Sequence, residues 1–182
     1  MLEILFSNKE NAMVTRRQII QLSRALNYDY RDAKGDVLKL STKFNYAILK
    51  NGPKLTKMVE EMDKDLIPSS GFISYENERL SLARSLAKKD ENGKAVVIKN
   101  SNGHEIFDLE NKEEGEAQLN ELMAKYKESI DERQVQIDAF NALLDTEIEA
   151  KIHKISVNDL PDELGMEFIQ ALSPMLFESE EV

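Results

Sequence analysis

The sequence predicts a mainly α-helical protein with a small β component, in which antiparallel long helices are joined by a β-hairpin. Apolar residues recur at helical spacing along most of the 182-residue chain. Turn-forming residues separate two short, strand-like stretches between positions 95 and 109. Residues 148–152 alternate apolar and polar side chains, as a half-buried strand does. The length is enough for one domain, or for one domain with an extension.

The N-terminal part, residues 1–66, is predicted to be helical and basic. Thr15 is the expected N-cap of a first helix that reaches about Tyr28. A polar link follows over 29–35. Val37 then opens an apolar pattern with steps of three and four, which predicts a second helix.

A break is expected inside that second helix at Asn51-Gly52-Pro53. Proline is tolerated at a helix start, so a new or kinked helix is predicted to continue as far as Met62. The sequence Ile67-Pro68-Ser69-Ser70-Gly71 then marks the end of the N-terminal part.

The remainder, residues 67–182, is predicted to form a helical arm followed by a strand and a short helix. One continuous domain is the alternative to this division. The arm begins with an amphipathic helix over about 74–89. The stretches 95–98 and 104–109 flank the turn residues 100–103 and predict a β-hairpin.

A long helix is predicted over about 113–145, which is roughly 50 Å at 1.5 Å per residue. It carries a heptad seam that is expected to pack on the upstream helix. Arg133 is the one polar member of the seam and leaves an intermolecular coiled coil open as an alternative. The seam comprises Leu119, Met123, Tyr126, Ile130, Arg133, Ile137, Phe140 and Leu144.

The C-terminal region changes period after Thr146. A strand over 148–152 and a turn over 158–162 precede a short helix that begins at Met166 and is limited by Pro174. The acidic tail at 178–181 is expected to fray.

Charge is sorted along the chain, which has a net charge of −10. Residues 1–57 hold 11 Lys and Arg against 5 Asp and Glu, whereas residues 110–182 hold 6 against 19. Such asymmetry indicates a charged partner, although the basic segment can equally pack on the acidic one.

Two sets of charged residues are candidate binding sites. Carboxylates on the far side of the long helix form an acidic strip that presents negative charge as a nucleic-acid backbone does, or that is simply a solvated face. They are Glu121, Glu128, Asp131, Asp138 and Asp145. The basic set is a candidate nucleic-acid contact, since Lys and Arg bind phosphates largely independently of sequence. It comprises Arg16, Arg17, Arg24, Arg31, Lys39 and Lys43.

The sequence contains no complete pattern typical of a known catalytic site. The chain has no cysteine and two histidines, so a thiol nucleophile is excluded and a metal site is not expected. Glu149-Ala150-Lys151 matches half of a metal-dependent nuclease motif, but the upstream Asp residues fall in a predicted helix. No glycine-rich phosphate loop occurs. We therefore expect a non-enzymatic protein without a cofactor.

No stretch of 18 apolar residues occurs, and Met1 to Phe6 lacks the features of a signal peptide. These observations predict a protein without a membrane contact, located in the cytoplasm.

The order of parts resembles a broad set of small, mostly uncharacterised bacteriophage and prophage proteins. The resemblance is carried by 15–50, by the "ENGK…NGHEIF" hairpin within 90–109, by the "EIEAKIHKISVNDL" segment at 147–160, and by 171–178. It implies a bacterial host cell and supplies no active-site residues. In size, acidity and lack of catalytic motifs the chain is also similar to phage anti-CRISPR proteins.

The resulting hypothesis is a phage protein that inhibits a host defence nuclease, most plausibly a type II CRISPR effector, by blocking DNA binding or cleavage. Such effectors hold nucleic acid in positively charged channels that an acidic helix fits. Two alternatives stay open: a phage structural or assembly protein, and a DNA-binding regulator that uses residues 15–50. The oligomeric state is not readable from the sequence.

Overall fold

The predicted fold class is confirmed in the computed structural model, which describes residues 11–31 and 35–178. Six helices and short strands make up the described chain. Residues 32–34 of the polar link, the first six residues and positions 179–181 of the acidic tail lie outside the described residues.

The chain divides into two units. Unit 1 contains Met1–Leu66 and Ala139–Val182, and unit 2 contains Ile67–Asp138. The sequence-based division also separates residue 66 from residue 67, but it keeps 139–182 with the arm. The structure places that segment with the N-terminal part, because its first strand pairs with a strand near the N-terminus.

Unit 1 begins with a strand that the sequence analysis did not predict. Strand β1 (Asn11–Thr15) pairs antiparallel with β4 (Glu147–Lys151), and Thr15 lies opposite Glu147. Thr15 is also the N-cap of helix α1 (Arg16–Leu26), as predicted. Its hydroxyl accepts the Gln18 N–H while the Gln18 side chain accepts the Thr15 N–H, which is a capping box.

Helix α2 (Thr42–Asp63) corrects the expected start of this helix and, of the two alternatives at Asn51-Gly52-Pro53, excludes a new helix. It begins five residues later than Val37, after the N-cap Ser41, and it runs without interruption through Pro53. Asn51 does not form a turn here: it lies inside the helix and is 1% exposed. Its amide nitrogen donates to the His153 carbonyl at 2.8 Å and its amide oxygen accepts the His153 N–H at 2.8 Å. Asn51, which the sequence suggests is part of a turn, instead joins α2 to the segment at His153 through two hydrogen bonds.

The core of unit 1 lies among α1, α2 and the C-terminal elements. Strand β5 (Ile155–Ser156) pairs in parallel with β6 (Leu176–Phe177), and helix α6 (Met166–Leu172) packs on α1. A 3-10 turn over Ser173–Met175 ends α6, as Pro174 predicts. The fully buried large apolar side chains of this core are Ile19, Leu22, Phe44, Leu55, Ile152, Leu172 and Met175.

Tyr30 belongs to this core, and removal of its hydroxyl tests a buried hydrogen bond. Its hydroxyl donates to the Ala25 carbonyl at 2.7 Å, near the end of α1, and burial raises the pKa of Tyr30 to about 12. We expect Tyr30→Phe to lower the free energy of unfolding by about 1 kcal/mol at neutral pH. Because its folded-state pKa is raised, Tyr30 contributes stability that is lost between about pH 10 and 12, and the variant should lack this part of the alkaline destabilisation. Urea unfolding at pH 7 and pH 11 measures both effects.

Unit 2 starts with helix α3 (Ser70–Leu86), capped by Ser69. The predicted hairpin follows: β2 (Val97–Lys99) pairs antiparallel with β3 (Glu105–Phe107). Asn100 shapes the turn by accepting the N–H groups of Asn102 and His104, and Gly103 adopts a φ of 77°.

The predicted long helix is two helices. Helix α4 (Lys112–Lys125) ends at Tyr126, and α5 (Lys127–Leu144) follows directly, with its last turn from Ala139 in unit 1. Tyr126 has φ −108° and ψ 16°, outside the helical range. The expectation of one uninterrupted helix over 113–145 was wrong at this residue, where the side chain is bound to α3.

Candidate protein-binding surface

Unit 2 holds α4 and α5 in a fixed, antiparallel relation to α3. The contacting pairs are Gly71 with Ser129, Tyr75 with Tyr126, and Glu78 with Lys125. Residue numbers rise along α3 as they fall along its partners, so the chain directions oppose. A Cβ on Gly71 would collide with the Ser129 hydroxyl, so any other residue at this position requires the Ser129 side chain to move.

The seam side of α5 faces this contact. The Arg133 guanidinium lies over the Phe72 ring at 5.8 Å, and the Gln136 amide donates to the Ile67 carbonyl at 3.1 Å. Arg133, the polar member of the predicted seam, is therefore used within unit 2, where a cation over an aromatic face is favourable.

Glu78 is the polar anchor between α3 and α4. Its two carboxylate oxygens accept from Lys125 Nζ at 2.8 Å and from the Tyr126 hydroxyl at 2.6 Å. The Lys125 hydrogen bond, followed by that of Tyr126, lowers the pKa of Glu78, and the Glu78 hydrogen bond raises the pKa of Lys125. The network keeps Tyr126 bound to α3 at the junction of α4 and α5.

We expect this network to make unit 2 sensitive to acid. Because the folded-state pKa of Glu78 is lowered, its contribution is present at neutral pH and is lost as the pH falls through the folded-state value. Hydrogen exchange of the α3 and α4 amides, compared between pH 7 and pH 3.5 with correction for intrinsic rates, should show acid opening in the wild type. Glu78→Gln should be less protected at pH 7 and should lose less on acidification.

The matched control for this prediction is Glu121→Gln, which removes one exposed carboxylate of α4 without touching the network. Wild type and Glu78→Gln losing protection in parallel would show that Glu78 does not carry the acid response.

Four carboxylates occupy the side of α5 that faces away from α3. We call this the acidic face: Glu128, Asp131, Glu132 and Asp138. At 100° per residue they fall within about one third of the helix circumference. Val135 lies among them with 67% of its surface exposed. Val135 adds one exposed apolar contact point to an otherwise charged face, and apolar surface rimmed by polar residues is found at protein–protein interaction sites.

The acidic face keeps most of its charge. Lys127 pairs with Asp131 one turn away, and Gln134 donates to Asp138 at 2.9 Å. Within the described residues, Glu128 and Glu132 have no such partner. Glu132 was missed by the sequence analysis because it lies one position off the seven-residue rows that drew attention to its neighbours.

The other two members of the predicted strip are placed differently. Glu121 is exposed on α4, which is a separate helix. Asp145 follows the end of α5 in unit 1, where its carboxylate accepts from Arg17 Nε at 2.8 Å and Nη2 at 3.2 Å. That ion pair lowers the pKa of Asp145 and raises that of Arg17. The structure therefore brings together Glu128, Asp131 and Asp138 of the predicted five.

Much of the predicted basic set is engaged within unit 1. Besides Arg17, Arg31 binds Asp29 at 2.6 Å and the Gly35 carbonyl, and Lys43 pairs with Asp159 at 3.2 Å. Arg16 buries its Nε atom. Arg24 lines a cavity of about 480 Å³ between α1 and α6, and Lys39 is exposed before α2.

The charge split of the sequence does not separate the two units. Unit 2 has 10 Lys and Arg against 15 Asp and Glu, and unit 1 has 14 against 19, so each carries −5. The basic N-terminal segment and the acidic C-terminal segment fold together, and Arg17–Asp145 and Lys43–Asp159 join them. The acidic face is accordingly a local feature of α5.

The nuclease-like motif lies on strand β4. Glu149 and Lys151 occupy the same, exposed side of that strand. Across residues 11–31 and 35–178, no group of three His, Asp or Glu side chains is arranged to hold a metal ion. In the same residues, no helix has the length and apolar content needed to cross a membrane.

Comparison with known proteins adds no relative. No protein-family model, no curated protein and no solved structure matches this chain.

Proposed function

We propose that this chain is a non-enzymatic binding protein whose acidic face docks into a positively charged nucleic-acid channel of a partner protein. The observation that carries the proposal is the exposed, largely unneutralised carboxylate cluster around Val135 on α5. Carboxylates on a helix present negative charge at intervals, as phosphates do, and they steer association with a basic surface. Val135 supplies apolar contact that a purely electrostatic encounter lacks.

The proposed partner is a host defence nuclease, and in particular a guide-loaded type II CRISPR effector. Its channel holds a guide–target duplex through backbone contacts and not through base sequence. A helix that occupies this channel blocks DNA binding or cleavage without any chemistry of its own. The resemblance to phage proteins supports a phage-encoded inhibitor acting in the bacterial cytoplasm.

A cleavage assay with a panel of guide-loaded type II nucleases tests this function. We expect the protein to protect target DNA from at least one nuclease when it is added before the DNA. Unchanged cleavage by every member of the panel at large molar excess would contradict the nuclease assignment.

A second candidate, a phage structural or assembly protein, is favoured by the hairpin. Ile98 and Ile106 are paired across β2 and β3, so both point to the same side of the hairpin, with 40% and 44% exposed. Adjoining exposed apolar side chains are the kind of surface that protein–protein contacts cover. Mass spectrometry of purified virions would detect the chain if it is a virion component.

A further inference from the structure

We infer that unit 1 carries a binding groove for single-stranded nucleic acid. The groove encloses about 880 Å³ and lies between the first turns of α2, the segment that follows β4, and Phe177 on β6. Its volume is within the range of small-molecule and nucleotide sites, about 300–1,000 Å³. This site is separate from the acidic face and goes beyond the proposed function.

Aromatic side chains supply the first argument. Of the Tyr and Phe rings in the described residues, three are exposed, and two of these, Tyr46 at 48% and Phe177 at 47%, line this groove. The third, Tyr28, packs against Phe168 with ring centroids 4.6 Å apart. Exposed rings in a concave site are the stacking platforms that bind unpaired bases.

The position of the Tyr46 ring is fixed by its neighbours. His153 contacts it edge-on at 5.2 Å between centroids, and Lys50 Nζ lies 5.3 Å from the ring centre. His153 is in turn held by the two backbone hydrogen bonds to Asn51. The platform is therefore ordered before any ligand binds, which reduces the entropic cost of binding.

Basic side chains supply the second argument. Lys43 and Lys154 line the groove, and Lys50 lies beside it on Tyr46. The one carboxylate in the lining, Asp159, is paired with Lys43 and is 18% exposed. Glu178 follows Phe177 in the chain. The local balance is positive in a unit of net charge −5, so a phosphate backbone meets less repulsion here than the net charge of the unit implies.

The exposed rings and the lysines together favour one class of ligand. An acidic peptide needs the lysines but gains little from two exposed rings, whereas a strand of nucleic acid uses both. In double-stranded nucleic acid the bases are stacked and paired inside the duplex, so they cannot stack on the rings of Tyr46 and Phe177. Short single strands are therefore the expected ligands.

Fluorescence anisotropy with a 5′-labelled 12-nucleotide oligouridylate, using the full chain, tests the groove. Three phosphate contacts give a log–log salt slope near −2 for a single strand, so affinity should fall about 20-fold between 50 and 200 mM NaCl. Tyr46→Ala and Phe177→Ala should each weaken binding by about tenfold, and Tyr46→Phe should retain it. Lys154→Glu should weaken binding and flatten the salt slope.

The matched control is Lys112→Glu, which makes the same charge change at the start of α4 in unit 2 and should leave affinity unchanged. Thermal unfolding shows whether each variant is folded.

Four results would overturn the inference. They are no binding at 20 mM NaCl, equal loss of affinity in Lys112→Glu, full affinity in both alanine variants, and displacement of the oligonucleotide by an equal concentration of uridine monophosphate or of a 12-residue polyglutamate. The last result would assign the groove to a free nucleotide or to an acidic peptide.

Discussion

Asn51→Ala is expected to lower the free energy of unfolding of unit 1 by about 3 kcal/mol. The substitution deletes two hydrogen bonds of 2.8 Å and leaves the N–H and carbonyl of His153 without these partners. Burial makes the loss large, because Asn51 is 1% exposed and the segment that it holds carries the buried Ile152 and Ile155. A lost partner in such a place costs about 1–3 kcal/mol for each unsatisfied group.

Urea unfolding followed by circular dichroism measures this effect. Asn51→Leu should be destabilised to a similar extent, since it restores apolar volume but not the hydrogen bonds. Asn120→Ala is the matched control on the exposed surface of α4 and should shift stability by less than about 0.5 kcal/mol. A loss confined to Asn51→Ala, with Asn51→Leu near the wild type, would mean that volume and not hydrogen bonding holds the segment.

Reversing the charge of the acidic face is expected to cause a large loss of affinity for the partner. Glu128→Lys combined with Glu132→Lys makes the charge of α5 more positive by four. Two side chains that would attract a basic channel then repel it. We expect the affinity for a nuclease that the wild type inhibits to fall about 30-fold at low salt. The difference from the wild type should shrink as salt rises, because exposed charges are screened.

The control for charge alone is Asp162→Lys combined with Glu163→Lys, an equal reversal on an exposed turn of unit 1. Biolayer interferometry with the immobilised nuclease compares the three proteins. If both double variants weaken binding equally, net charge governs the association and the acidic face has no special role.

The sequence predicted the elements whose signals are local. Thr15 was predicted as an N-cap and proved to form a capping box with Gln18 within four residues, and the predicted hairpin depends on the turn chemistry around Asn100 and Gly103. Such patterns are readable because each part of the motif is adjacent in the chain.

The features that the sequence did not reveal depend on distant partners. Strand β1 exists because Asn11–Thr15 meets β4, more than 130 residues later. Asn51 follows the same rule: alone it indicates a turn, but its amide is satisfied by His153, and tertiary bonding overrides the local preference. The sequence pattern places Tyr126 in the heptad seam. In the structure its hydroxyl donates a hydrogen bond to Glu78, at the residue where α4 ends and α5 follows.

The candidate sites follow the same division. Spacing placed Glu128, Asp131 and Asp138 on one side of a helix, which the structure keeps. Sequence spacing does not show which charged residues form ion pairs within the protein. Asp145 and Lys43 both do, with residues far away in sequence. The aromatic groove required three separate segments to converge, so only the folded chain shows it.

Hydrogen exchange on the complex with an inhibited, guide-loaded nuclease tests whether the acidic face enters the channel. We expect binding to protect the amides of residues 127–138 on α5, and the same peptides to lose this protection when the nuclease is first filled with target DNA. Protection confined to the hairpin strands β2 and β3, or unchanged by target DNA, would contradict docking of the acidic face into the channel.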